Sequence, residues 1–257
     1  MRAGRGMFRL TRLAAAGRPE EAILGAPARD AAVTATVLAL TAVAFAAVAD
    51  HGILVRIQRV DDAWLRLMVS GRAAPVTVIA KFFNLLGLVY VTLPVRIAIA
   101  GYLAVRRRWW HMAAFVAAVV LSEVLIGTLK NVYDRTRPSG ALVATSGASF
   151  PSSGHAIAAS VTVVAAVIAL VPAGRRRVAW GAAAVGFSIL MAASRAYLAA
   201  HWLSDAVAGI LLGTSCALLA AVVAGGLQRR WQARRAGGAT GPARARVPDT
   251  ARRADRP

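Results

Sequence analysis

Three polar clusters interrupt an otherwise apolar chain. The first runs from Lys130 to Pro138 and holds Asp134, Arg135 and Arg137. The second is Phe150 to His155, containing Ser152, Ser153 and Gly154. The third joins Ser194 and Arg195 to a stretch from His201 to Asp205. Lys130, Arg137 and Arg195 are cations with little acidic sequence around them, so their natural partner is an anion with several oxygens. A guanidinium offers forked donors that suit paired oxygens of a tetrahedral oxyanion. Ser153 and Gly154 stand where a helix is predicted to start near His155, and free N–H groups and the positive dipole end there bind anions. A glycine lets the backbone approach such a ligand closely. The expected ligand is a phosphoryl group.

The histidines supply the rest of the chemistry. His201 and Asp205 are spaced i, i+4, which predicts that both lie on one helical face. The carboxylate would accept one ring N–H and fix the tautomer, leaving the other ring nitrogen as a nucleophile. His155, from a separate cluster, would serve as general acid on the leaving oxygen. No carboxylate pair or histidine cluster stands at metal-ligand spacing, so neither metal nor cofactor is expected. Asp134 and Arg135 read as loop charges, and His51 and His111 as interfacial residues without acidic partners.

These clusters must be positioned by membrane-spanning helices. The chain has 257 residues, 58% hydrophobic and only 16% charged, with mean hydropathy +0.59. A soluble domain carries about 25% charged residues, and a bilayer core needs roughly 17–25 apolar residues in helix. Six segments approach that length: Ala31–Ala49, Phe82–Val105, Met112–Leu129, Ala156–Ala173, Val178–Ser194 and Trp202–Leu227. The expected architecture is therefore all-α, a polytopic membrane protein of six transmembrane helices. Two spans carry a charge. Arg96 is expected to snorkel to the surface, and Glu123 to face the bundle interior beside a basic partner. The single Cys216 leaves no intramolecular disulfide.

Orientation follows from the arginines. Six basic residues precede the first span, three sit at 106–108, three at 175–177 and nine follow Leu227. The opposite face has four between Gly52 and Ala74, three between Lys130 and Arg137, and Arg195. Both termini are expected in the cytoplasm and all three clusters outside it. Ala47-Val48-Ala49 resembles a leader-cleavage site, but the preceding apolar run is longer than a leader's about 7–15 residues, which favours a retained span. Residues 1–30 form a basic cytoplasmic segment in this reading, 31–227 the six-span domain, and 228–257 a disordered Arg-rich tail. The tail's arginines are read as a positive-inside signal resting on anionic lipid, with no nucleic-acid partner.

The ordered patterns K-x6-R-P from Lys130, P-S-S-G-H from Pro151 and S-R-x5-H-x3-D from Ser194 resemble the three signature motifs of the phosphatidic acid phosphatase type 2 superfamily. The resemblance implies that Lys130, Arg137, Ser153, Gly154 and Arg195 bind phosphate. It further implies His155 as general acid, His201 as nucleophile and Asp205 as its orienting carboxylate. The family's second motif is P-S-G-H; here an extra serine separates Pro151 from Ser153, so Ser153 is the matching residue. The implied activity is hydrolysis of a lipid phosphate or isoprenoid diphosphate, of the phosphatidic acid or undecaprenyl diphosphate type. It would run through a phosphohistidine at the outer face of the cytoplasmic membrane. A transporter or channel binding an anion on the same cations is the alternative, although it leaves the two histidines and Asp205 without work.

Overall fold

Runs of Ala, Val and Leu form helices, and local signals set their ends. The computed structural model describes residues 20–239, and among these every regular element is helical. In chain order they are α1 (Pro27–Ala49), α2 (His51–Ser70), α3 (Ala74–Leu86), α4 (Val89–Val105), α5 (Trp109–Tyr133), α6 (Ala158–Leu170), α7 (Arg175–Tyr197) and α8 (Leu203–Ala239). A five-residue π-helical turn, Ser153–Ile157, leads into α6. Pro27 sits at the start of α1, where a missing N–H removes no helical bond. Asp50 caps α2 by accepting from the Ile53 N–H at 2.8 Å.

Four helices, α1, α5, α7 and α8, are long and apolar enough to cross a membrane. The predicted second span is broken instead. Helices α3 and α4 meet at Gly87 with a bend of 51°, and taken as a pair they make a fifth crossing. The predicted fourth span shrinks to the 13 residues of α6. That helix is apolar on every side because α4, α5, α7 and α8 all pack against it, as expected of a helix with no face to the surroundings.

Helix α8 is the hub, in contact with α1, α2, α5, α6 and α7. Gly209 and Gly213 let the π-turn and α6 lie against it. A methyl group at Gly209 would fall 2.9 Å from the Ser152 carbonyl oxygen, and one at Gly213 would fall 2.7 Å from that of Ile157. Thr41 of α1 shares a 2.8 Å hydrogen bond with Ser215 of α8.

Several expectations are corrected here. The stretch expected to connect the first two spans is helix α2. Charges at Arg56, Arg59, Asp61, Asp62 and Arg66 hide its period in a search for long apolar runs. Helix α8 runs past Leu227 to Ala239, so the first residues assigned to a solvated tail are helical. Buried Gln228 explains this: its amide donates to the Glu21 carbonyl at 2.9 Å and accepts the Ile23 N–H at 3.1 Å. Residues 1–19 and 240–257 lie outside the described residues. Arg96 does not snorkel. It pairs with Glu123 at 2.8 Å and donates to Thr162 Oγ1 at 2.9 Å. A lone charge at the bilayer centre costs about 2.5–3.5 kcal/mol on insertion scales, which favours the pair. Glu123 itself is half-exposed on the bundle flank, so only its basic partner matches expectation. His111 is not interfacial but fully buried, its Nδ1 2.7 Å from Glu20, which also accepts the Trp110 and His111 backbone N–H groups that open α5.

Candidate active site

Helix ends bring the three polar clusters to one end of the bundle. Lys130 lies in the last turn of α5 and Arg195 in the last turn of α7, while Asp205 lies in the first turn of α8. Asp134 ends α5 in the left-handed conformation (φ 33°) and turns the chain into the loop that carries Arg135 and Arg137. His155 sits in the π-turn that opens towards α6. Ser153 and Gly154 occupy the same turn; their backbone places them at the head of α6. The fields of Arg195 and Arg137 reach Lys130, His155 and His201 alike, so three cations and two histidines lie close together.

The protonation pattern of His201 follows from its partners. Its Nδ1 lies 2.8 Å from the Ser149 carbonyl oxygen, which can only accept. Its Nε2 lies 3.1 Å from Arg137 Nη1, which can only donate. The proton is therefore on Nδ1, and the lone pair of Nε2 points at the Arg137 guanidinium. Burial pushes the His201 pKa down to about 4; Asp205 opposes that shift, and Arg195 and Arg137 add to it. The ring is thus neutral at physiological pH and able to act as a nucleophile.

Arg137 is held by carbonyls, with 2.6 Å to Ala200, 2.8 Å to Ser146 and 2.9 Å to Gly147. Burial lowers its pKa, though it remains a cation at any physiological pH. Lys130 Nζ donates to the Ala148 carbonyl at 3.3 Å. Arg195 donates through Nη1 to the Asn84 side-chain oxygen, while its buried Nε has no hydrogen-bond partner among the described residues.

One predicted contact is different in kind. His201 precedes the first residue of α8, so the i, i+4 spacing does not place it on a helical face with Asp205. The Asp205 carboxylate stands 3.7 Å from His201 Nδ1, too far for a hydrogen bond. It instead reaches back to the Trp202 N–H at 3.0 Å, as the third residue of a capping box does. It also accepts from the Ser149 hydroxyl and, at 2.6 Å, from Arg135 Nη1. Asp205 thus orients the peptide that holds His201 rather than the ring directly.

Three residues near the site escaped the sequence reading. Arg135, taken for a loop charge, is 9% exposed and bridges Asp205 to Asp61 of α2, 2.7 Å from Nη2. Asn84 holds Arg195. Gly87, at the break between α3 and α4, leaves space for His155: a methyl there would fall 2.8 Å from the ring's Cγ and 2.9 Å from its Cβ. An arginine two residues before Arg137 in a loop of low acidity was a signal for a second buried guanidinium. A glycine inside an apolar run carried none. Among the described residues no group of three or more His, Cys, Asp or Glu gathers as metal ligands would.

Residues 111–229, which contain all three clusters, match the PAP2 superfamily. The matched segment is just under half of the chain and carries the whole of the motif resemblance. The fold agrees. A transmembrane PAP2-type phosphatidylglycerolphosphate phosphatase from Bacillus subtilis superposes with a TM-score of 0.63 at 23% identity, over 77% of this chain and 96% of that one. LpxE of Aquifex aeolicus superposes with a TM-score of 0.50 at 23% identity, over 61% of this chain and 91% of that one. No curated protein matches the chain in sequence. The motif residues of this chain come from separate helix ends. Helices α1 to α4 lie outside the matched segment, yet Asp61, Asn84 and Gly87 reach the site from them.

Proposed function

We propose that this PAP2 protein hydrolyses a lipid phosphate or isoprenoid diphosphate at the extracytoplasmic face of the cytoplasmic membrane. The observation that carries the reading is the pairing of a neutral His201, its Nε2 lone pair exposed to a donor, with Arg137 as that donor. A bound phosphoryl group takes the place of that contact: Arg137 turns its N–H to an equatorial oxygen and Nε2 faces phosphorus. Lys130, Arg195 and the N–H groups of the Ser153–Gly154 turn hold the other oxygens, and such preorganised charge supplies most of the rate in phosphoryl transfer.

His201 Nε2 attacks phosphorus in line and forms a P–N bond as the P–O bond to the lipid breaks. Protonated His155 donates to the departing oxygen. Water then gives a proton to neutral His155 and attacks phosphorus, the P–N bond breaks, and inorganic phosphate leaves. Burial first, then Arg195 and Arg137, disfavour a proton on His155; in this reading a bound phosphate dianion offsets the field of the arginines and draws a proton onto His155.

The test is phosphate release by the purified protein in detergent, with chelator present, across phosphatidic acid, phosphatidylglycerolphosphate and an isoprenoid diphosphate. Release that disappears in His201→Ala and is inhibited by vanadate, a mimic of the five-coordinate transition state, supports the reading. Loss of activity in chelator, restored by magnesium, refutes the metal-free step. Anion flux in proteoliposomes with no hydrolysis favours transport.

A further inference from the structure

Helix α2 has one buried residue. Its exposed surface carries Ile53, Val60 and Leu67 at seven-residue intervals with Arg56, Arg59 and Arg66 between them, while Asp61 is 1% exposed and turned inward. Burying a carboxylate is costly unless charges and donors satisfy it, and here they do. Asp61 Oδ2 accepts from Arg135 Nη2 at 2.7 Å and from the Ser204 hydroxyl at 2.6 Å. Its Oδ1 accepts the Ser204 backbone N–H at 2.9 Å. That N–H is among the donors a helix leaves unpaired in its first turn, so Asp61 caps α8 from another helix. Gln58, one turn earlier, accepts from the same Arg135 nitrogen at 2.7 Å and is itself held by Asp62 at 2.9 Å. The other arm of Arg135 meets Ser204 at 2.8 Å and Asp205 at 2.6 Å.

We propose that Asp61 is a positioning residue for the hydrolysis, fixing through Arg135 and Ser204 the start of α8 on which Asp205 and the His201 peptide are set. The inference rests on the function proposed above. It goes beyond the motif residues, since Asp61 lies outside the segment matched to the PAP2 superfamily. The path is short. Asp61 holds Ser204 and Arg135; Arg135 and the Ser149 hydroxyl hold Asp205; Asp205 holds the Trp202 N–H; and the Ser149 carbonyl takes the His201 proton. The phosphate-binding cations are anchored elsewhere, Arg137 on loop carbonyls and Arg195 on Asn84. Loosening Asp61 therefore alters the attack geometry more than the binding of phosphate. Misplacement of a reacting group by about 1 Å can cost about 10²-fold in rate.

The experiment compares wild type, Asp61→Asn, Arg135→Gln, the double variant and Thr41→Val. The last breaks a hydrogen bond between α1 and α8 far along the helix and serves as a destabilised variant with an intact site. Expected for Asp61→Asn is a fall in kcat of about 10- to 100-fold, with KM within about twofold of wild type. The double variant is no slower than Arg135→Gln, because the two residues act as one unit. Thr41→Val lowers the melting temperature and leaves kcat unchanged. A second readout does not need turnover: in protein labelled with ¹⁵N-histidine, the His201 Nδ1–H signal is sharp and slow to exchange in wild type and exchanges rapidly in Asp61→Asn. Wild-type kcat in Asp61→Asn, equal loss in Thr41→Val at matched stability, or an unchanged His201 signal overturns the inference. If the wild type releases no phosphate, the proposed function fails, and the histidine signal still decides whether Asp61 positions His201.

Discussion

Replacing Gly87 with alanine adds a single methyl group and tests whether the bent helix pair shapes the reaction. Gly87 has right-handed backbone angles (φ −85°, ψ −6°), so alanine is not strained there by its own backbone. The effect is steric. The new Cβ would lie 2.8 Å from His155 Cγ, where ordinary contact begins at 3.4 Å, so the imidazole must yield by at least about 0.6 Å. Overpacking of this kind typically costs about 1–3 kcal/mol of stability, which the thermal melt reads directly. The consequence for rate is larger. General acid catalysis contributes about 10²–10⁴-fold, and an ångström of misplacement forfeits about 10²-fold. With a phosphomonoester lipid, kcat in Gly87→Ala is expected to fall about 10- to 100-fold. Gly101→Ala in α4, where a methyl meets nothing within 4 Å, is expected to match wild type. The assay is steady-state phosphate release in detergent beside a thermal melt of each variant. Gly87→Ala activity within about threefold of wild type, far short of that misplacement cost, would show that His155 has more freedom than the packing allows it.

Three further outcomes follow from the site. His155→Ala should slow phosphoenzyme formation far more with phosphatidic acid than with a diphosphate, whose leaving phosphate has a second pKa near 6 and needs no proton; with the diphosphate, phosphate should accumulate on His201, detected by acid-labile ³²P labelling, and a label on His155 would reverse the assignment. Because burial lowers the His201 pKa from 6.5 to about 4, the unfolded chain binds a proton that the folded site refuses between those values, so stability falls as pH drops through that window. Melts at about pH 7 and pH 4.5 should show a steeper loss for wild type than for His201→Gln, the difference arising from that linkage. Cysteines placed at exposed Ala141 or Ala144, with buried Cys216 changed to alanine, should react with an impermeant thiol reagent on intact spheroplasts, and labelling only after lysis would move the site to the cytoplasm.

The candidate site was legible because its residues are chemically out of place: charges and histidines beside apolar runs stand out whatever the fold. Most apolar runs mark helices for the same reason. What the chain hides are features decided by partners distant in sequence. Asp61 looks like one of a pair of surface acids until Arg135 and Ser204 are brought to it. His111 looks interfacial until Glu20 covers the start of α5. The His201–Asp205 interval suggested one helical face, but the carboxylate bonds to the Trp202 N–H and starts the helix after His201. Gly87 lies at the break of its span with the His155 ring against it, and no local period records that.

The hub position of α8 has a consequence for biogenesis. The helix that touches five others, supplies Asp205 to hold the His201–Trp202 peptide, and fills the seam beside Thr41 is the last of the described helices to leave the ribosome. Until it arrives, α1 and α5 lack their main neighbour, Asp61 lacks two of its three hydrogen bonds and Arg135 two of its four. Assembly therefore cannot proceed helix by helix to completion; the earlier segments must wait in the bilayer as an open, partly polar cradle. Contacts that close only across such long separations in sequence make folding slow. The interval before α8 enters is when this protein most needs the insertion machinery to shield it.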